Sequence, residues 1–252
     1  MLKTDKVTVR FGGLTAVNQV SVHIRKGRIT GLIGPNGAGK TTFFNCISGV
    51  YVPSEGSIIF DGRHIEGRRG FQINEAGIAR TYQIINLFRK MTVLENVMVG
   101  MHSRLKSGFF KNLLHTPSMR REEQAARKKA YELLAFVGLT DKAMNKASSL
   151  SYGEQRLLEI VRGLASDPKL LLLDEPAAGM NTAEKEELHK LIKKIIARGV
   201  TILVIEHDMK LVMGVCDYLY VLEHGTLLAE GTPDQVQNNP DVIAAYLGGD
   251  EE

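Results

Sequence analysis

The stretch Gly34-Pro35-Asn36-Gly37-Ala38-Gly39-Lys40-Thr41-Thr42 carries the spacing G-x-x-x-x-G-K-[ST], between the apolar runs Ile29–Ile33 and Phe43–Ile47. Its glycines let consecutive backbone N–H groups converge on phosphate oxygens, and a helix start adds a favourable dipole. Lys40 can then reach β- and γ-phosphate oxygens, and the Thr41 hydroxyl can ligate Mg²⁺. A second group of candidates ends the run Lys169-Leu-Leu-Leu-Leu-Asp174-Glu175. Alone, this is equally a strand followed by a turn acid. Beside a phosphate loop, Asp174 is suited to hold Mg²⁺ and Glu175 to orient or deprotonate an attacking water. His207 closes another apolar run, Val200 to Glu206, and should arrive at the same sheet edge, although a lone histidine is more often structural. From spacing alone, Gln83 is a polar loop residue.

A third anion-facing device is Ser151-Tyr152-Gly153-Glu154, an S-x-x-E capping box opening a helix whose apolar face is Leu157, Leu158, Ile160, Val161 and Leu164. Gly153 keeps the backbone beside the cap uncluttered, so the serine hydroxyl and nearby N–H groups could face an anion. One helix terminus contributes only about 0.3–2 kcal/mol to such binding. It therefore cannot hold a nucleotide unaided. The spacing does not say whether it meets the first loop within one chain.

The elements that must position these residues follow from hydrophobic period. Val7, Val9 and Phe11 alternate, as do Val20, Val22 and Ile24, and Ser57–Phe60 precedes an Asp61-Gly62 turn. From about Gln83 to Leu150 the pattern is helical, clearest from Glu122 to Val137. Ala183 to Arg198 predicts a helix capped by Gly199, and unbroken apolar strands around it predict a parallel sheet covered on both faces. Tyr218–Leu222 and Thr226–Ala229 predict a hairpin, and two short helices should close the chain around Pro233 and Asp241–Tyr246.

The 252 residues, 44% hydrophobic, can bury a core without staples, and Cys46 and Cys216 form no metal-ligand pattern. Both suit a reducing compartment as buried small apolar groups. No apolar run reaches membrane-spanning length, the longest candidate being Leu211–Leu222 with Asp217 inside it. The first residues alternate like a strand and are unlike a signal peptide, so a cytoplasmic location is expected. A net charge of +4 gives no case for nucleic acid. Basic residues cluster from Arg104 to Lys129, as either a solvated helix face or a surface near anionic lipid, where each contributes about 1 kcal/mol.

The ordered set GPNGAGKTT, Gln83, LSYGEQ, LLLLDEP and His207 resembles the ATP-binding subunits of ABC transporters over essentially the whole chain. The resemblance implies an α/β fold: a P-loop NTPase (RecA-like) core with an antiparallel β subdomain, over 1–82 and 156–252. A helical signature-motif subdomain would occupy 83–155. It implies ATP and Mg²⁺ as cofactors, with Gly34 to Thr42 binding ATP, Phe11 stacking on adenine, and Thr41, Gln83 and Asp174 attending the metal. Glu175 would be the catalytic base, His207 the switch histidine, and Gln83 a sensor of Mg²⁺ and water that also touches the permease. Ser151, Gly153 and Glu154 would face ATP held by a second subunit in a head-to-tail dimer.

Further implied partners are two membrane permease subunits and, indirectly, a periplasmic or extracellular substrate-binding protein, with this chain peripheral on the cytoplasmic face of the inner membrane. Tyr152, in place of a signature glycine, and Asn181, in place of an aspartate, depart from the commonest pattern. Residues 205–209 (IEHDM), the polar insertion after Gly100 and the ending GTPDQVQNNPDVIAAYLG resemble the ATPases of branched-chain amino acid importers. Urea and amide importers and a lipopolysaccharide-export ATPase are similar. In all of them other subunits choose the substrate. ATPases of DNA repair and chromosome architecture would carry long coiled coils between Lys40 and Ser151, and no sustained heptads occur there. Ribosome-acting relatives typically carry two cassettes in one chain. A plain P-loop phosphotransferase would lack LSYGEQ. The second ATPase is either a copy or a related chain, and the resemblance favours the latter.

Overall fold

The computed structural model describes residues 1–101 and 117–247. The chain begins with strands β1 (Leu2–Phe11), β2 (Leu14–Val20), β3 (His23–Ile24) and β4 (Ile29–Ile33), then helix α1 (Lys40–Ile47). Next come β5 (Glu55–Phe60), β6 (Arg63–His64), α2 (Gly70–Ala76), β7 (Ile78–Arg80), α3 (Val93–Gly100), α4 (Pro117–Phe136) and α5 (Tyr152–Leu164). The last third holds β8 (Leu170–Asp174), α6 (Thr182–Ala197), β9 (Thr201–Ile205), α7 (Met209–Val215), β10 (Tyr218–Glu223), β11 (Thr226–Gly231), α8 (Pro233–Gln237) and α9 (Pro240–Leu247).

Two sheets result. One is antiparallel, in the order β2-β1-β5-β6 with β3 also on β1; the other runs β11-β10-β4-β9-β8-β7, parallel except for the β10–β11 hairpin. The unbroken apolar strands have a direct cause. Leu170 and Leu172 of β8, with Leu203 and Ile205 of β9, pack into a core containing Phe43, Phe44 and Ile47 of α1. Leu171, Leu173, Ile202 and Val204 face a second core with Leu158, Val161, Leu188 and Ile192 of α5 and α6. Period-two alternation thus sends the Leu, Ile and Val side chains of both strands into one apolar layer or the other, so that polar residues stand only at the strand ends, Thr201 and Asp174.

The structure differs from the sequence expectation in local ways. The alternation from Val20 to Ile24 breaks into β2 and β3, because Gln19 adopts φ +50° and Thr4 Oγ1 takes the Val22 N–H at 2.9 Å. The helical region begins only at Val93. Asn96, fully buried, occupies both backbone groups of Phe88, donating to its carbonyl at 3.1 Å and accepting its N–H at 2.9 Å, which holds the preceding segment as a loop. The α6 helix ends at Ala197 with Arg198 as cap. Gly199 is the left-handed residue beyond it, φ +83°, where only glycine is unstrained. The Asn181 departure is an N-cap: its side chain accepts the Glu184 N–H at 3.0 Å, which asparagine does as well as aspartate.

The basic region 104–129 lies partly outside the described residues, which resume at the start of α4. Among the described residues no helix is long and apolar enough to cross a membrane. Cys46 and Cys216 are buried, and burial pushes their thiols up to about 11 and about 12.

Leu203 sits at the centre of the parallel sheet, 1% exposed. Leu203→Ala should cost about 2–5 kcal/mol, lowering the calorimetric midpoint by about 2–4 °C per kcal/mol.

Candidate functional site

The phosphate loop leaves β4 and turns into α1. Gly39, the N-cap, has φ +93°, and a Cβ there would stand 2.4 Å from the Ala16 carbonyl oxygen; at Gly34 a Cβ would meet Leu222 O at 2.0 Å. The glycines are therefore fixed by close backbone approach as well as by φ. No side chain caps α1, so its first N–H groups remain available to an anion. An open cavity of about 390 Å³ is lined by Asn36, Gly37, Ala38, Gly39, Lys40, Thr41 and Thr42, with Glu175 and His207 among the remaining wall residues. Leu14, Thr15 and Ala16 add wall from β2, and His224 and Gly225 from the β10–β11 turn.

Lys40 is buried and folds back on its own loop, Nζ donating to Gly34 O and Pro35 O at 2.7 Å each. Burial lowers its pKa, and the carboxylates of Glu175 and Asp174 oppose that shift.

Asp174 continues the alternation of Leu170 and Leu172, so it leaves the sheet on the α1 side. There its Oδ2 accepts from Arg80 Nη2 at 2.7 Å; Arg80 Nη1 bonds Asn45 Oδ1 and Ser48 Oγ of α1 at the same distance. Asp174 Oδ1 is buried without a partner among the described residues. A buried carboxylate oxygen left without a partner is what a cation ligand requires. Among the described residues no group of three or more His, Cys, Asp or Glu could hold a metal. A cation at Asp174 would need most of its ligands from groups other than these side chains.

Glu175 is a non-glycine residue at φ +45°, a strained backbone held by its N–H on Ile205 O at 2.9 Å. Its carboxylate lies between Gln83 Nε2, which donates at 2.8 Å, and His207 Nε2 at 2.6 Å. The Nε2 nitrogen carries a proton in that geometry, an assignment made from the contact. Three residues far apart in sequence thus meet at one carboxylate beside the phosphate loop.

Four expected residues lie elsewhere. Phe11 is 46% exposed, edge-on to Tyr51 at 5.3 Å, and is not part of the cavity wall. Ser151, Gly153 and Glu154 start α5, apart from the cavity. Ser151 Oγ accepts the Glu154 N–H at 3.4 Å and Glu154 Oε2 accepts the Ser151 N–H at 3.0 Å. Lys142 also pairs with Glu154, and that hydrogen bond is the first cause of its lowered pKa. Gly153 is buried, and a Cβ there would stand 2.4 Å from Glu184 Oε1. The glycine thus permits close approach of α6, where the sequence suggests an open backbone.

Several polar residues not singled out in the sequence surround the site. Besides Arg80 these are Glu206, and Arg156 with Glu159. Glu206, 3% exposed, accepts from Ala177 N at 2.7 Å, His207 N at 3.1 Å and Asp208 N at 3.3 Å. Burial pushes its carboxyl up, and those backbone N–H groups pull it back. Adjacency to His207 was the available signal for Glu206. For Arg156 and Glu159 it was the presence of charges one turn apart on an apolar helix.

Residues 17–178 match the family model described as ABC transporter, and residues 226–252 match the one described as branched-chain amino acid ATP-binding cassette transporter. The chain is 51% identical over 249 residues, 98% of each protein, to the high-affinity branched-chain amino acid transport ATP-binding protein LivG of Escherichia coli K12. Among solved structures, an ATP-binding cassette of an ABC transporter in its ADP conformation superposes with TM-score 0.86 at 33% identity, covering 98% of both chains. A dimeric cassette bound to ADP and Pi superposes with TM-score 0.78 at 26% identity, covering 92% of this chain and 99% of that one.

Gly39→Ala places a methyl where the Ala16 carbonyl already is, on a backbone that alanine resists. Titration with a fluorescent ATP analogue should show affinity reduced about tenfold or more, a loss of about 1.4 kcal/mol, with helical circular dichroism unchanged.

Proposed function

Because the chain belongs to the ABC transporter family of ATP-binding cassettes, we infer that it is the ATP-hydrolysing subunit of an importer for branched-chain amino acids. The ATPase reading rests on one observation above the others: the Glu175 carboxylate is held between Gln83 and His207 beside the phosphate loop. The substrate reading is supported by the 51% identity to the E. coli branched-chain amino acid protein and by the match over residues 226–252.

In this reading the N–H groups of the loop from Gly34 to Thr42 and the start of α1 cradle the phosphates of ATP. Lys40 leaves its two carbonyls for the β- and γ-oxygens. Thr41 and Asp174 would hold Mg²⁺, with Gln83 nearby, and the cation would neutralise charge developing on the phosphates. Glu175 aligns a water for in-line attack and accepts its proton, while His207 and Gln83 keep the carboxylate aimed. Phe11, exposed beside Tyr51, offers a face to the adenine.

Ser151, Gly153 and Glu154 open α5 away from this cavity, so they suit a nucleotide held by a second ATPase subunit, in a head-to-tail pair with two sites. Binding of ATP closes the pair and hydrolysis releases it. The exposed apolar side chains Ile84, Phe88 and Met91, following Gln83, suit contact with two membrane permease subunits. That contact places the chain peripherally on the cytoplasmic membrane face, with a substrate-binding protein acting through the permease.

Glu175→Gln should keep ATP affinity while slowing turnover about 10²–10⁴-fold, and should elute as a nucleotide-bound dimer; a monomer at saturating ATP would contradict the shared site. In cells lacking their own branched-chain importer ATPase, the wild-type chain should restore uptake of radiolabelled leucine and Glu175→Gln should not. Restored uptake of urea or an amide in place of leucine would reassign the substrate.

A further inference from the structure

A buried ion pair on α5 reaches into the loop that carries Gln83. Arg156 Nη1 and Glu159 Oε2 are 2.8 Å apart, with both side chains out of water. The same Nη1 donates to Tyr82 O at 2.6 Å, and Nη2 donates to Gln83 O at 2.8 Å. Glu159 Oε1 accepts from Asn86 N at 3.3 Å and, at the limit of a hydrogen bond, from Tyr82 N at 3.5 Å. Four contacts thus hold both ends of the 82–86 segment. Nη2 also lies 3.5 Å from the Tyr152 hydroxyl, and that ring packs against Gly179 in the loop following Glu175.

We propose that Arg156 and Glu159 form a positioning pair that sets the 82–86 segment so that Gln83 Nε2 meets Glu175, with Tyr152 tying this arrangement to the start of α5. The proposal rests on the reading of Gln83 and Glu175 as the residues that orient the attacking water.

Stability alone is a poor explanation for the pair. Well-packed apolar residues of similar volume often replace a buried ion pair without loss. Among the described residues Arg156 Nε moreover has no partner although it is buried, so the pair is not optimised for its own energy. What it supplies is hydrogen bonding to a segment with no helix or strand ladder of its own, where backbone groups would otherwise lack partners. The rigid fork of an arginine fits two adjacent carbonyls, which a lysine ammonium matches poorly. The Tyr152 departure acquires a role by the same geometry, since a glycine there would leave the guanidinium and Gly179 without this contact.

The test uses the full-length chain in the complex purified from membranes, carrying Arg156→Lys or the apolar pair Arg156→Met with Glu159→Leu. The ATPase kcat should fall about 10- to 100-fold with KM for ATP within about twofold. Amide exchange across 82–86 should accelerate, and the thermal midpoint of the apolar pair should not drop. An unchanged kcat overturns the proposal, as does a loss of ATP affinity that parallels the loss of kcat. If the apolar pair does not fold, Arg156→Lys decides by the same readouts. Gln83→Ala and Glu175→Gln serve as controls. If both lower kcat and Arg156→Lys does not, the positioning role alone falls. If neither lowers kcat, the functional reading falls first.

Discussion

Four adjacent parallel strands end at one sheet edge, and the rest of the molecule depends on that constraint. In the order β4, β9, β8, β7 they run into the phosphate loop, His207, Asp174-Glu175 and the segment of Gln83. Neighbouring strands lie only about 4.8 Å apart. Gln83, Glu175 and His207, which follow three different strands, therefore come within hydrogen-bond distance at one carboxylate. The strand ends also leave backbone groups without ladder partners, and these must find side chains or a ligand. Period-two alternation then chooses the side. Asp174 follows Leu172 toward α1 and its phosphate loop, and Glu175, turned by its left-handed backbone, comes between Gln83 and His207.

The buried charges of this edge tie element ends and loops together. Arg80 joins Asp174 to Asn45 and Ser48 of α1, and Glu206 joins the start of the 177–181 loop to the turn of His207. Arg156 and Glu159 hold the segment after β7. Burying such groups without compensation is expensive, and each is compensated mainly by backbone or by polar groups of neighbouring elements. The consequence is that loops with little regular structure take a defined shape. The Glu175 carboxylate thereby keeps a fixed orientation in a wall that is open to solvent on one side.

The parallel strands and the phosphate loop were legible in the sequence because their causes are local. A strand buried on both faces must read as unbroken Leu, Ile and Val, and a turn with Gly34, Gly37 and Gly39 at positive φ must carry glycine. Ser151 announces the start of α5 by a side-chain cap that acts over three residues, whereas the caps at Asn181 and Thr232 emerge only in the structure. The short strand β7 was not legible, since Ile78-Ala-Arg80 is too brief to show a period. Neither was the loop before Val93, whose shape depends on Asn96 bonding Phe88. Arg80, Arg156 and Glu206 escaped for the same reason: each is defined by partners brought together only by the fold. The spacing of Gln83 said nothing of Glu175, 92 positions away.

The loop of Lys40 and the helix start at Ser151 are not mechanically independent. Between them runs the segment from Glu175 to Asn181. Glu206 holds Ala177, the Tyr152 ring lies on Gly179, and Asn181 caps α6, whose Glu184 fills the space beside Gly153. A shift of the α5 start is therefore transmitted directly to this segment, because close-packed contacts without slack move together. It is transmitted a second way through Arg156 to the carbonyls of Tyr82 and Gln83. Both routes end on the Glu175 carboxylate, one through its backbone and one through its hydrogen bond from Gln83. A displacement of the α5 start can thus bias the geometry at the Glu175 carboxylate. That coupling needs only a tyrosine at 152, an arginine one turn later and two glycines small enough to let helix and loop touch.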